Sequence, residues 1–476
     1  MDRRRQPGCG DRNLYAGTGG PRNDRRRRQP CRSRSVAFTR RAADGEVAPL
    51  GWGRSLLFAS GDFACNLYWQ SISFYLLFFY TDTLDMSAAA AGLIVMAASI
   101  WDGVVGLLIG IAADRRGARA FVRLYAIPLA LAFVLLYLPV PIQGAWLIAL
   151  ALVANMLFRT FYVAVNVPYA ALTIDVAPDS LSRSRIAGLR MILGGAAALV
   201  VATGTEASID WVGQTGYTDW GYAVVGMALA IVASVLLFAV GGMRTPVSAA
   251  APQRGAVRLR GIAAAIAGNR AFLAINLGIC GAAAAMGVIT RAVPYYFKYQ
   301  VGDVAAGSTA LAGMAIAGVV AVPLWMACAA RFGHRRQWQA SALVAIVSMV
   351  LLLVARPAEA ASAQWLCALF YMGGQGLFFG FWALLPDVVQ HGGPEGSPRM
   401  DVFLFGIAAL LQKVTQGIAV ALFGTLLSAS GYVARTVQPE GVLDQLILLT
   451  GMLPLIGMGL AWLAMLGFPH LRLTPR

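Results

Sequence analysis

A handful of side chains could do chemistry because of where they stand. Asp102, in the stretch AASIWDGVVGLLIG, is a carboxylate among residues that otherwise suit hydrocarbon. Lys413, in ALLQKVTQGIAVALFG, is one of two lysines in the chain and sits midway along a similar apolar run. Arg159 and Asn166 share a third run, Arg190 lies early in a fourth, and Arg291 lies in a fifth. Ionised groups in apolar surroundings are costly, so they pair, face a cavity, or bind an ion or solute. The chemistry on offer is therefore binding and charge exchange. A carboxylate can take a proton or small cation, while amides and guanidiniums can hold hydroxyls and acids. Arg159, Tyr162, Asn166 and Ala170 follow an i, i+3, i+7, i+11 spacing, which puts them on one helix face expected to look into a cavity. Each charged residue also has a plainer reading as a helix–helix ion pair or hydrogen bond. For Arg291 the plainer reading includes reaching the membrane surface.

The elements that must position these residues follow from composition. Of 476 residues, 58% are hydrophobic and 13% charged, and the mean hydropathy is +0.67. Such values exclude an ordinary water-soluble globule and make the bilayer the relevant solvent. Windows of about 20 apolar residues, the length that crosses the hydrocarbon as helix, start near Leu56, Ala88, Phe121, Ala145, Ile186, Gly221, Phe272, Ala305, Trp338, Ser362, Val402 and Leu446. Segments this long and continuously apolar must close their own backbone hydrogen bonds, which excludes barrel strands. The expected fold is an all-α integral membrane bundle of twelve transmembrane helices.

Basic residues orient the bundle, because Lys and Arg collect in short cytoplasmic loops. Arg115, Arg116, Arg119 and Arg123 join spans two and three, Arg183 and Arg185 join four and five, and Arg331, Arg335 and Arg336 join eight and nine. The stretches YTDTLDMSA, VPIQGA and TGTEASIDWVGQTGYTDWG, on the opposite side, contain neither Lys nor Arg. Both termini are thus expected in the cytoplasm. The net charge of +16 reads as topology plus attraction to anionic lipid headgroups, with no nucleic-acid partner. Residues 1–50 form an Arg-rich, Gly-rich polar tail expected to be disordered, without the layout of a signal peptide.

Catalytic signals are missing. Cys9, Cys31, Cys65, Cys280, Cys328 and Cys367 form no C-x-x-C pair, and His334, His391 and His470 fall in loops or near the C-terminus. No P-loop, zinc motif or Ser-His-Asp set occurs in a suitable context. An enzyme is not expected, nor a cofactor, nor a metal beyond a possible Na⁺ at Asp102.

An internal repeat divides the chain. AADRRGAR recurs as CAARFGHR at an offset of 216, placing Arg115 over Arg331, Gly117 over Gly333 and Arg119 over Arg335. ALTIDV recurs as ALLPDV at an offset of 212, placing Asp175 over Asp387. The expected plan is residues 51–242 and 271–470 as two pseudo-symmetric six-helix halves, with a basic linker at 243–270 and a short tail at 471–476. This is the layout of the major facilitator superfamily, whose substrate site lies at midplane between the halves. GIAADRRGAR resembles that superfamily's loop motif. The resemblance implies a cytoplasmic gate drawn from Asp114, Arg115, Gly117, Arg119, Asp175, Arg331 and Asp387.

A narrower resemblance covers residues 51 to 470. It rests on GDFACNLYWQSISFYLLFFYTDTL, IWD, NVPYAALTIDVAPDSLSRSRIAGLR, NRAFLAI and LPDVVQHGGPEGSPR followed by Lys413, all in order. Together these are similar to the glycoside-pentoside-hexuronide:cation symporters. The resemblance implies a cation site at Asp102, with Lys413 beside it, and a sugar site using Arg190. It places family aspartates on Asn66 and Asn166, a tryptophan on Ala170, a second cation-site aspartate on Gly106, and a small residue where this chain has Arg159. A Na⁺ cage needs several oxygen ligands, so its loss at Gly106 leaves the coupling ion as H⁺ or Na⁺. One Asp against Arg159, Arg190 and Lys413 leans the substrate toward an anionic glycoside such as a hexuronide. The implied protein is a monomeric secondary transporter of a sugar, glycoside or hexuronide in a bacterial inner membrane. Three other readings stand: an uncoupled facilitator, a carrier of amphipathic lipid-like solutes, and a non-transporting membrane sensor.

Overall fold

The computed structural model describes residues 51–116, 118–176, 180–216, 220–243, 268–392 and 398–468, and they are helical almost throughout. The N-terminal tail, most of the linker and residues 469–476 lie outside the described residues. The first span is α1 (Trp52–Phe74) continued by α2 (Leu76–Asp82). The rest of the first half is α3 (Ala88–Arg116), α4 (Ala118–Leu136), α5 (Ala145–Val176), α6 (Ser180–Gly213) and α7 (Gly221–Gly241). The second half contains α8 (Arg270–Tyr295), a π-helical turn (Tyr296–Val301), α9 (Val304–Phe332), α10 (His334–Ala355), α11 (Ala360–Gly392), α12 (Pro398–Ala429) and α13 (Glu440–Leu466). Eleven of these segments are long and apolar enough to span a membrane. The first is not among them because Asp62, Asn66, Gln70 and several serines lower its hydropathy. Large apolar residues such as Leu131, Val235, Val354 and Trp365 point outward, as a lipid-facing surface requires.

Each half packs largely on itself, and the halves meet where α3 runs against α12 and α6 against α9. Glycine makes the first seam close. A Cβ on Gly92 would stand 3.0 Å from the Ala421 Cα, and one on Gly417 would stand 2.8 Å from the Ser99 Cβ. Small residues let backbones approach in lipid, where dispersion and hydrogen bonds drive association. We expect Gly417→Val to lower stability by about 1–3 kcal/mol through overpacking and to depress transport by prising this seam. Thermal unfolding in detergent, beside uptake in vesicles, checks it; an unchanged midpoint would refute the packing argument.

The repeat has a structural counterpart. Arg119, at the start of α4, donates from Nη1 to the Met243 carbonyl just beyond α7, at 3.1 Å. Arg335, its repeat partner at the start of α10, donates from Nη2 to the Leu466 carbonyl at the end of α13, at 3.2 Å. In each half a guanidinium satisfies the unpaired carbonyls that close its last helix.

Candidate functional site: paired charges beside a ring-lined cavity

Asp102 faces inward because α3 buries Ile94, Ala98, Asp102 and Val105 on one side and exposes Trp101, Val104 and Leu108 on the other. Asp102 is fully buried. Its Oδ2 meets Lys413 Nζ from α12 at 3.0 Å and Arg159 Nη1 from α5 at 3.3 Å. The Asp102–Lys413 pair thus joins the two halves. The Arg159 guanidinium also lies over the Trp69 ring, 5.0 Å from its centroid, a favourable cation–π placement. Two tethered cations already face this carboxylate, and Gly106 supplies no ligand. Among the described residues no group of three His, Cys, Asp or Glu could hold a metal. A dehydrated Na⁺ needs several oxygens, and of Asp102, Lys413, Arg159, Gly106 and Trp69 only Asp102 offers a side-chain oxygen.

A second, half-buried pair includes a residue absent from the sequence-based set. Asp62, on α1, accepts from Arg190 Nε at 3.0 Å and Nη2 at 2.8 Å, both on Oδ1. Asn66 Nδ2 donates to the other oxygen, Oδ2, at 3.1 Å. Arg190 also donates to Thr173 Oγ1 at 3.2 Å and lies over the Tyr169 ring. Both side chains of the pair remain partly exposed. Asn66 therefore serves a carboxylate one turn earlier, and Arg190 is not a surplus charge. Counting Asp62, the five-charge set of Asp62, Asp102, Arg159, Arg190 and Lys413 carries one net positive charge, not two.

Beside these pairs lies a cavity of about 570 Å³, lined by Trp69, Gln70 and Ser73 of α1, Met286 and Thr290 of α8, and Gln416 of α12. A stripe of α11 adds Tyr371, Gln375, Phe378, Phe379 and Trp382. None of its lining residues carries a formal charge. Its size suits a small solute, and its mix of rings and amides offers flat apolar faces next to groups that both donate and accept. On the shared face of α5, Arg159 and Tyr162 are buried, Asn166 is half-buried and Ala170 is exposed, and none of the four lines this cavity.

At the end of the bundle formed by the α2–α3 turn, the halves are latched. Asp82 Oδ1 accepts from Lys298 Nζ at 2.6 Å and the Tyr299 hydroxyl at 2.5 Å; Oδ2 accepts from the Tyr432 hydroxyl at 2.8 Å and Thr81 Oγ1 at 2.7 Å. Arg435 donates from Nε to the Asp82 carbonyl and from Nη2 to the Thr83 carbonyl. The π-helical turn after Pro294 aims Lys298 and Tyr299 here, in keeping with such turns gathering at functional positions. Arg435 is held at φ +60°, a conformation costly for a side-chain-bearing residue. Burial, and after it the Asp82 carboxylate, push the Tyr432 phenol well above its ordinary pKa, so it remains a donor.

The expected gate is only partly in view. Gly117 and the side chains of Asp114, Arg115 and Asp175 lie outside the described residues. Arg119 is engaged with its own half, Arg331 is exposed beside Phe332, and Asp387 is half-buried near the end of α11. Arg291 does not reach the surface; it is 3% exposed.

Comparisons with known proteins agree with this architecture. Residues 57–470 match the family model described as MFS/sugar transport protein. The chain is 25% identical over 432 residues to the isoprimeverose transporter of Lactiplantibacillus pentosus, covering 89% of this chain and 90% of the relative. It is 24% identical over 402 residues to a putative sulfoquinovose importer of Escherichia coli (strain K12), covering 82% and 85%. Among solved structures, a D-xylose-proton symporter superposes with a TM-score of 0.64 at 15% identity, covering 86% of this chain and 96% of that one. With eleven helices among the described residues long and apolar enough to span a membrane, paired intramembrane charges and a ring-lined cavity between two halves, the chain belongs to the MFS/sugar transport protein family, a multi-pass membrane protein of the major facilitator fold.

Proposed function

We propose that this protein is a secondary symporter, and not an enzyme, that carries a sugar or neutral glycoside across a bacterial inner membrane by alternating access. The observation that carries the reading is the cavity wall. Its rings and its three glutamines suit stacked sugar faces and hydroxyls, while Arg190 is already held by Asp62. The isoprimeverose transporter similarity supports the same substrate class. A solute-sized cavity beside the ion pairs argues against a plugged, non-transporting sensor. The basic loops would face the cytoplasm and its anionic headgroups, so the Asp82 latch closes the outer face.

The shortage of ligand oxygens at Asp102 argues against Na⁺ and leaves a proton as the proposed coupling ion, taken up once Lys413 or Arg159, both now on the carboxylate, moves away. Uptake of labelled neutral galactoside and labelled glucuronide into vesicles, with imposed pH or Na⁺ gradients, tests the proposal. The galactoside should be preferred and should respond to the pH gradient alone. Preference for the glucuronide would restore an anionic substrate, and indifference to both gradients would remove symport.

A further inference from the structure

One buried cluster is left unexplained by substrate binding. Tyr80 on α2, Asn155 and Arg159 on α5, Asp102 on α3 and Arg291 on α8 are each 3% exposed or less. The Tyr80 hydroxyl, Asn155 Nδ2 and Oδ1, Arg159 Nε, Arg291 Nε and Asp102 Oδ1 all lack a hydrogen-bond partner. Buried polar atoms are nearly always satisfied, so a group of orphans in one place points to an occupant. They are neighbours: Asn155 and Arg159 stand one helical turn apart, Tyr80 lies against Asn155 and within reach of the Arg159 charge, and Arg291 lies near enough to Arg159 for the two to repel.

The charges decide what the occupant is. Arg291 donates from Nη1 to the Gly287 carbonyl at 2.9 Å, and among the described residues no carboxylate pairs with it. Asp102 faces both Arg159 and Lys413. Arg159 and Arg291 are buried against one buried carboxylate that the partly exposed Lys413 also shares, which leaves at least one positive charge uncompensated at bilayer depth, where such a charge is expensive. Water could satisfy the orphaned atoms but would leave that charge standing. We propose that Arg159 and Arg291 enclose a resident site for one small inorganic anion of the size and charge of chloride, with Tyr80 and Asn155 completing its donors.

The donor set suits such an ion. Two guanidinium Nε–H groups, a phenol and an amide N–H are the unpartnered donors of this cluster, and charge-assisted bonds of this kind are the strong ones. Of the two orphaned acceptors, the Asn155 oxygen can exchange places with its nitrogen by an amide flip. Asp102 Oδ1 needs a donor, which a single water at that edge supplies. The anion would sit between a guanidinium of the first half and one of the second, holding together two cations that would otherwise drive the halves apart. The surplus positive charge near the cavity then belongs to a resident ion and not to the substrate, which goes beyond the transport reading and does not depend on the sugar's identity.

The test uses the full chain purified in detergent and in proteoliposomes, with chloride replaced by gluconate at constant ionic strength and constant cation. Thermal unfolding should shift upward as chloride is restored, saturably, and bromide should substitute and appear as an anomalous scatterer between Arg159 and Arg291 in crystals. Tyr80→Phe, which removes one donor and little volume, should weaken apparent chloride affinity about tenfold, and Arg291→Gln should abolish the chloride response. Identical unfolding in chloride and gluconate would overturn the proposal. So would stabilisation by a glucuronide or a sulfonated sugar with none by chloride, since the acid would then be the substrate's own. The unfolding readout involves no transport, so its failure is separable from failure of the symporter reading.

Discussion

Asp102→Asn is expected to reduce concentrative uptake roughly 100-fold or more while leaving part of the exchange activity, because breaking a buried pair from one side costs about 3–5 kcal/mol. The substitution keeps the shape of the side chain and removes its charge. Lys413 and Arg159, both now within 3.3 Å of Oδ2, would then face a neutral amide, with Arg291 adding a third cation nearby. Lys413 is about a third exposed and can turn to water; Arg159 is buried and cannot. The strain should fall on the α3–α5 contact, and the unfolding midpoint should drop with activity. Asp102→Asn combined with Arg159→Gln restores the local charge balance, so it should recover much of the stability without recovering concentrative uptake. Counterflow and gradient-driven uptake in the same vesicles separate these effects. Full concentrative uptake by the single variant would make Asp102 a packing residue.

The spans were readable in the sequence because hydropathy is a local signal: most of the helices begin within a few residues of the expected starts. Asp102, Lys413 and the α5 face were readable for the same reason, as charges or spacings inside one apolar run. Asp62 was not, although its signal was present. Asp62, Asn66, Trp69, Gln70 and Ser73 fall at i, i+4, i+7, i+8 and i+11, a single face of α1. The stripe of Tyr371, Gln375, Phe378, Phe379 and Trp382 on α11 repeats that spacing. Asn66, read alone, drew attention from the carboxylate one turn before it, and counting Asp62 lowers the net positive charge of the set by one. Rings on α11 look lipid-facing in a sequence, since only tertiary packing says which apolar face meets a cavity. The solitude of Arg291 and the partners of Lys298 are likewise non-local. Asp82 and Lys298 lie at the ends of separate spans, where a charge ordinarily marks nothing more than the membrane boundary.

Asp82→Asn should unlatch the outer face. One carboxylate takes donors from Lys298, Tyr299 and Tyr432 of the opposite half, and hydrogen bonds to a charged group contribute about 1.5–3 kcal/mol each. The variant retains one carbonyl oxygen for all of them and leaves Lys298 unpaired, so the closed population should fall by roughly 10- to 100-fold. A cysteine placed at Ser73, on the cavity wall, in a background stripped of native cysteines, should then react faster with an impermeant maleimide added from outside. Tyr432→Phe removes one donor and should produce a smaller change of the same sign; Lys298→Gln should lie between them. Exchanging the charges, Asp82→Lys with Lys298→Asp, should return part of the protection, because the pair's attraction survives the swap. A gate must also open, and gathering its bonds on one carboxylate lets them break together when α2 and the π-helical turn part. Equal labelling of Ser73→Cys with and without Asp82→Asn would show that α3 against α12, and not this latch, keeps the outer face closed.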